Sequence, residues 1–178
     1  NSELLLKLFH DVADLSALKE DNIRFTFEHC DVLILCANVI DTVEKVKHTS
    51  AAISFETSLD SLDVYTDSGR LQQVLINLLI NATKFTQEGR IVLKLDKDEE
   101  RQEAIFAIED TGCGIPLEKQ PHIFERFEKL HEGVQGAGLG LSICQLIIEN
   151  IGGKIWIDSS YTNGTRFVFT HPLHNERQ

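Results

Sequence analysis

Between Leu71 and Phe85 six apolar residues, Leu71, Val74, Leu75, Leu78, Leu79 and Ala82, fall on one broad face when the chain advances ~100° per residue. A face that broad is core, so this helix has to lie against another layer of structure. Asp67 or Ser68 is the candidate cap at its start. On the same helix Asn77, Asn81 and Lys84 fall within roughly 60° of one another, on a separate stripe. Two amides and an ammonium therefore line up beside a buried face. An amide oxygen is a neutral hard ligand that suits a small divalent cation, and a lysine one turn on can act as a point charge for an anion. Taken alone, the stripe also fits the ordinary polar flank of a half-exposed helix, although asparagine is a mediocre helix former.

Other periodicities surround this helix. Leu4, Leu5, Leu8, Val12, Leu15 and Leu18 predict an amphipathic helix ending near Lys19 to Asn22. A strand is predicted over Arg24 to Glu28, and a helix over Val32 to Val46 with Asp31 as N-cap. Short strands follow at Ile53 to Glu56 and Leu62 to Thr66. Beyond the central helix, strands are predicted at Ile91 to Leu95 and Ala104 to Asp110, joined by a charged tip from Asp96 to Glu103. Residues 111 to 138 are rich in glycine and irregular, with a short helix at Gln120 to Phe127. A helix over Leu141 to Ile151 stops at Gly152 and Gly153. Strands at Lys154 to Ser159 and Thr165 to Thr170 are joined through Asn163-Gly164, and a tail follows Pro172. The mixture predicts a mixed sheet with helices on one face, an α/β sandwich.

Composition narrows the partners. The chain has 178 residues, 42% of them hydrophobic and 25% charged, which are globular values. A net charge of −11 argues against a nucleic-acid module, since such modules need a basic footprint. It leaves room for a small anionic ligand held by a few local donors. The cysteines, Cys30, Cys36, Cys113 and Cys144, have neither CxxC nor zinc spacing and read as reduced thiols. The longest apolar stretch, Val32 to Ile40, contains Asn38 and is too short to cross a bilayer. Methionine is absent and the chain begins at Asn1, so a fragment of a longer protein is expected. His171 and His174, near the end, read as surface residues without a metal.

Two glycine turns and a short aromatic segment carry the remaining chemistry. Asp110-Thr111-Gly112-Cys113-Gly114 follows a strand directly. A carboxylate there can accept a hydrogen bond from the exocyclic amine of adenine, where guanine would present a carbonyl and be repelled. The same residues are also plain turn chemistry. Gly136-Ala137-Gly138-Leu139-Gly140 runs into the helix beginning at Leu141, where backbone amides and the helix dipole can meet an anion. It matches neither a Walker loop nor G-x-G-x-x-G. Between the two turns, Phe124 and Phe127 can anchor a lid that aims Arg126 at a terminal phosphate; a surface helix with two buried rings is the alternative.

Together, and in this order, these motifs closely resemble the catalytic domain of sensor histidine kinases, a branch of the Bergerat-fold ATPases. The N box runs from Asn77 through Asn81, Lys84 and Phe85 to Thr86; the first glycine box is Asp110 to Pro116; the F box is Phe124 to Phe127; the second glycine box is Gly136 to Leu141. The resemblance covers about residues 24 to 173. It implies an α+β fold, a two-layer sandwich of about five mainly antiparallel strands with about three helices on one face. It implies ATP and Mg²⁺ as ligands, with Asn81 on the metal and Asn77, Lys84 and Phe85 along the phosphate and adenine region. Asp110 would read adenine, and Gly112 and Gly114 would let backbone approach. Arg126 would assist the γ-phosphate, and Gly136, Gly138, Leu139, Gly140 and Leu141 would cradle the phosphates. Thr165 would make the last polar contact, with Ile115, Phe124 and Phe127 also lining the nucleotide site. Asn77, Lys84 and Arg126 are the implied catalytic set. Hydrolytic branches, such as DNA gyrase and the heat-shock chaperones, carry a Glu general base where this chain has Asn77, and an amide cannot take a proton from water.

The pattern breaks in places. The phosphoacceptor motif is absent: His10-Asp11 lacks the following Pro and reads as helix surface. Residues 1–20 are then expected to be the end of a dimerisation hairpin, with the catalytic domain at 21–178. Ala137 replaces the usual Thr or Ser, and the lid between Phe127 and Gly136 is short. The resemblance implies as partners a phosphoacceptor-histidine domain, a response-regulator receiver domain and a second copy of the parent chain. It implies a cytoplasmic domain with a membrane-anchored parent. A non-catalytic nucleotide-binding module and an ATPase stand as the alternative readings.

Overall fold

The computed structural model describes residues 24–125 and 137–174. Among them, three helices pack on one side of a five-stranded sheet, and a separate two-stranded sheet lies beside the first helix. Helix α1 spans Val32–Val46, α2 Ser68–Phe85 and α3 Ala137–Ile151. The strands are β1 Glu28–Asp31, β2 Ala52–Thr57, β3 Asp63–Thr66, β4 Arg90–Asp98, β5 Glu103–Asp110, β6 Ile155–Ile157 and β7 Thr165–Pro172. The large sheet runs in the order β2-β4-β5-β7-β6; β2 is parallel to β4 and the other pairs are antiparallel. This is the α+β sandwich expected from the sequence.

Alternation explains the core. Ile91, Leu93 and Leu95 of β4, Phe106 and Ile108 of β5, and Phe167 and Phe169 of β7 are buried at every second position. Phe106 and Phe169 stack with centroids 4.5 Å apart across paired strands. From above, α2 contributes Leu71, Val74, Leu75, Leu78 and Leu79, all fully buried. Its cap also fastens the incoming chain: Asp67 Oδ1 accepts from the Arg70 amide at 3.0 Å and Oδ2 from the Thr26 amide at 2.7 Å. Asp31 caps α1 in the same way, accepting from the Leu33 amide at 3.0 Å.

Several boundaries differ from expectation, each with a local cause. The first strand is Glu28–Asp31, not Arg24 to Glu28, because its partner β3 pairs Glu28 with Thr66 through Asp31 with Asp63. Phe25 and Phe27 precede that ladder and stack instead, Phe27 on Tyr65 at 5.7 Å and Phe25 beneath Arg70 at 5.9 Å. The charged tip between β4 and β5 is shorter than predicted, since Asp98 Oδ1 accepts the Glu100 and Arg101 amides at 3.0 Å and turns the chain tightly. The strand predicted to reach Ser159 ends at Ile157, where Asp158 accepts from the Ser160 amide at 3.0 Å. Gln120–His122 is one turn of 3₁₀-helix with Pro121 near its start. Leu173 does not belong to a loose tail; it is buried, and its amide donates to the Gln102 carbonyl at 3.0 Å.

His171 is a correction of a different kind. It is fully buried rather than on the surface, because β7 continues past Thr170 and odd positions of that strand face the helices. It stands opposite Ala104, whose small side chain leaves room for a ring. His171 Nδ1 donates to the Pro172 carbonyl at 2.7 Å, Nε2 meets no partner among the described residues, and burial lowers the pKa, which favours the neutral ring. His174 is exposed, as expected. No cluster of His, Cys, Asp and Glu among the described residues could hold a metal. The predicted helix over residues 4–19, with His10, lies outside the described residues.

Candidate functional site

The site is built where the second half of α2 meets the end of β5 and the start of α3. Leu78, Leu79 and Ala82 turn one side of α2 into the core, which sets Asn77 and Asn81 at the margin of that buried face. Asn81 is 6% exposed. Asn77 Nδ2 and Asn81 Oδ1 are both shielded from solvent and have no hydrogen-bond partner among the described residues. A buried amide left so costs ~1–3 kcal/mol, and two on neighbouring turns of one helix ask for an outside partner. Lys84 lies at the surface, yet burial around its ammonium lowers its pKa, so the charge is partly stripped of water.

Asp110 ends β5 and is 3% exposed. Its Oδ1 accepts two backbone donors, the Gly112 amide at 2.9 Å and the Thr165 amide at 3.1 Å. Oδ2 stands outside both bonds. Burial raises the Asp110 pKa, while the Gly112 and Thr165 amides and the Thr86 hydroxyl oppose the rise. Two glycines allow this packing. A Cβ on Gly112 would lie 2.1 Å from the Phe85 carbonyl, and one on Gly164 would lie 2.0 Å from the Asp110 carbonyl. The Cys113 amide donates to that Phe85 carbonyl at 3.2 Å, tying the first glycine turn to the end of α2. Gly114, at φ +75°, completes the turn, and Ile115 tucks into the core beyond it.

The second glycine box differs from expectation: α3 begins at Ala137, not Leu141, so Gly138, Leu139 and Gly140 form its first turn. The leading amides of a helix have no intrahelical acceptor and carry the positive end of its dipole, so the turn is a donor surface as it stands. Gly140 faces Asn77, since a Cβ there would lie 3.8 Å from Asn77 Nδ2, and Leu141 is buried. Phe124 packs edge-on against Phe167 at 6.2 Å and fixes the start of the F box to β7. Arg126, Phe127 and Gly136 lie outside the described residues.

The fold therefore gathers Asn77, Asn81, Phe85, Asp110, Gly112, Gly140 and Thr165 from four separate stretches of sequence. Reasoning from sequence gave no role to two neighbours. Tyr161, in the β6–β7 connection, donates its hydroxyl to the Asp110 carbonyl at 3.1 Å. Nothing in the local sequence marks it. Its loop is fixed by ion pairs on the outer face of the sheet: Arg166 reaches Asp158 and Glu109, each at 2.8 Å, and Lys94 reaches Glu109 at 3.1 Å. The other is Thr86, which closes the N box.

A two-layer sandwich with a buried strand-end carboxylate, glycine turns against it and helix amides opposite defines a nucleotide-binding class of domain. The chain belongs to the family described as histidine kinase-, DNA gyrase B-, and HSP90-like ATPase, whose model matches residues 66–175, and within it is a catalytic domain of the sensor histidine kinase type. It is 35% identical over 172 residues to the adaptive-response sensory kinase SasA of Trichormus variabilis, covering 94% of this chain and 43% of that protein. The solved catalytic domain of histidine kinase ThkA superposes with a TM-score of 0.75 at 32% identity, over 86% of this chain and all of that one. Full-length ShkA, solved in complex with AMPPNP, gives a TM-score of 0.83 at 28% identity, over 96% of this chain and 36% of that one. The chain thus spans less than half the length of the curated relatives it matches. No helix among the described residues is long and apolar enough to cross a membrane.

Proposed function

We propose that the pocket binds Mg-ATP and that the domain passes the γ-phosphoryl group to a phosphoacceptor histidine that this sequence does not contain. The observation that carries this reading is Asn77, an amide facing Gly140 where hydrolytic members of the superfamily hold a carboxylate. The donor set fits the ligand. Asp110 Oδ2 would accept the adenine amine, Asn77 Nδ2 and the first-turn amides of α3 would donate to phosphate oxygens, and Lys84 would add positive charge. Asn81 Oδ1, a hard neutral oxygen lacking a partner, fits Mg²⁺, which when bound would neutralise charge across the phosphates. Arg126 and Phe127, with Gly136, enter this reading through the family pattern alone. In the transfer the bond from the γ-phosphorus to the ADP oxygen breaks and one to an imidazole nitrogen forms. The protein's part is to hold donors in place and to provide no base for water.

We further propose that residues 1–20 are the end of the dimerisation hairpin. The phosphoacceptor-histidine domain of the parent protein, a receiver domain and a second copy of the parent chain are then the partners. A cytoplasmic location follows from the use of ATP; attachment of the parent to a membrane rests on family resemblance. The reading is tested by incubating the chain with γ-labelled ATP and the separate phosphoacceptor hairpin of a related sensor kinase. Acid-labile label on the hairpin is expected. Steady phosphate release without transfer would favour an ATPase, and ATP binding with neither would favour a non-catalytic module.

A further inference from the structure

Thr86 forms the C-cap of α2 and is fully buried. Its carbonyl already accepts from the Thr49 hydroxyl. Its own hydroxyl is shielded from solvent and, among the described residues, meets no partner that satisfies the distance and angle of a full hydrogen bond. A valine would fill the same volume without leaving a polar atom stranded, so packing does not account for a threonine here.

The surroundings show what the hydroxyl faces. A Cβ on Gly112 would come within 2.6 Å of Thr86 Oγ1, and the Gly112 amide itself donates to Asp110 Oδ1 at 2.9 Å. Thr86, Gly112 and Asp110 thus form one cluster, in which Thr86 and Asp110 are buried. The Thr86 hydroxyl lies on the carboxylate's side of Gly112 and favours the charged form of Asp110. Oδ1 is already engaged by two amides, which leaves Oδ2 for a third donor.

We propose that Thr86 is a positioning residue for the adenine-reading carboxylate: in the nucleotide-bound pocket its hydroxyl donates to Asp110 Oδ2 and fixes the carboxylate plane against the exocyclic amine. This rests on the reading of the pocket as an ATP site. A hydroxyl suits the task because it donates to a carboxylate through a short, charge-assisted bond while its lone pairs stay available to a ligand or water. It acts through Asp110 rather than on the reacting phosphate. The titratable groups around Asp110 are Tyr161 from the β6–β7 connection, Glu109 beside it on β5 with its partners Lys94 and Arg166, and Arg90, next to the Ile91 that pairs with Asp110 on β4. The readout is therefore taken at the Asp110 carboxyl carbon itself.

The experiment is a carbon NMR titration of that carboxyl in unliganded wild type, Thr86→Val and Thr86→Ser, with calorimetric ATP titrations over the same pH series. In Thr86→Val the carboxyl midpoint should move upward and ATP affinity near neutral pH should fall by about tenfold. Serine should restore both. A valine variant with the wild-type midpoint and affinity overturns the proposal and leaves the nucleotide reading standing. A moved midpoint with unchanged affinity overturns it too, because the hydroxyl would then tune the acid without serving the ligand. So does a serine variant that fails like valine. A folded wild type that binds no ATP at any pH removes the nucleotide reading, and this role with it.

Discussion

The backbone amide of Thr165 donates to Asp110 Oδ1 at 3.1 Å, joining the first residue of β7 to the last residue of β5. A carboxylate held this way, and 3% exposed, carries its charge at a cost. Burial raises its folded pKa above the unfolded value. Such a group lends stability below the unfolded pKa and loses it as pH rises through the folded one, so near neutrality the buried charge is unfavourable. Asp110→Asn should therefore melt higher than wild type at neutral pH, with the gap closing in acid. The same variant should lose ATP affinity by about tenfold to a hundredfold. Melting curves at two pH values and one calorimetric titration check both halves.

Gly164 and Gly140 should respond in opposite ways to alanine. At Gly164 the new Cβ would lie 2.0 Å from the Asp110 carbonyl, and something must move. Gly164→Ala should cost about 1–3 kcal/mol and weaken nucleotide binding by displacing Asp110. At Gly140 the nearest contact would be 3.8 Å, within a helix, so Gly140→Ala should fold with unchanged or higher stability. Chemical denaturation of the two variants decides the contrast.

His171 makes stability depend on pH below neutrality. Its folded pKa is lowered by burial, so its contribution is present above the unfolded value and lost as pH falls toward the folded pKa. Over that window the dependence should approach about 1.4 kcal/mol per pH unit. His171→Leu should flatten this part of the profile. Denaturant midpoints measured from pH 7 downward test it; an unchanged slope in the variant would assign the dependence to other groups.

Asn81 offers an oxygen that nothing among the described residues uses. Asn81→Ala should leave the unliganded domain within about 1 kcal/mol of wild type and remove the Mg²⁺-dependent part of ATP affinity. Comparing ATP affinity with and without Mg²⁺ in the variant reads this out directly.

The helical half of the fold was legible because burial there has a period: the limits of α1 follow from Asp31 and the apolar run after it, and the limits of α2 from Asp67. Strand limits were less so. Whether Phe25 or Cys30 enters a ladder is decided by what β3 offers, not by local alternation. The Asn stripe and the glycine turns were visible as motifs, but their closeness is long-range: Asp110 meets Thr165 and Gly140 meets Asn77 only once β5, β7, α2 and α3 are assembled. Tyr161 and the buried His171 were illegible for the same reason, since each is defined by a partner strand rather than by its neighbours in sequence.

Calorimetry of ATP binding to this chain, with and without Mg²⁺ and with GTP as control, tests the central claim most directly. The account predicts ATP binding strengthened by Mg²⁺ and no measurable binding of GTP. A folded chain that binds neither nucleotide, or both equally, would contradict it.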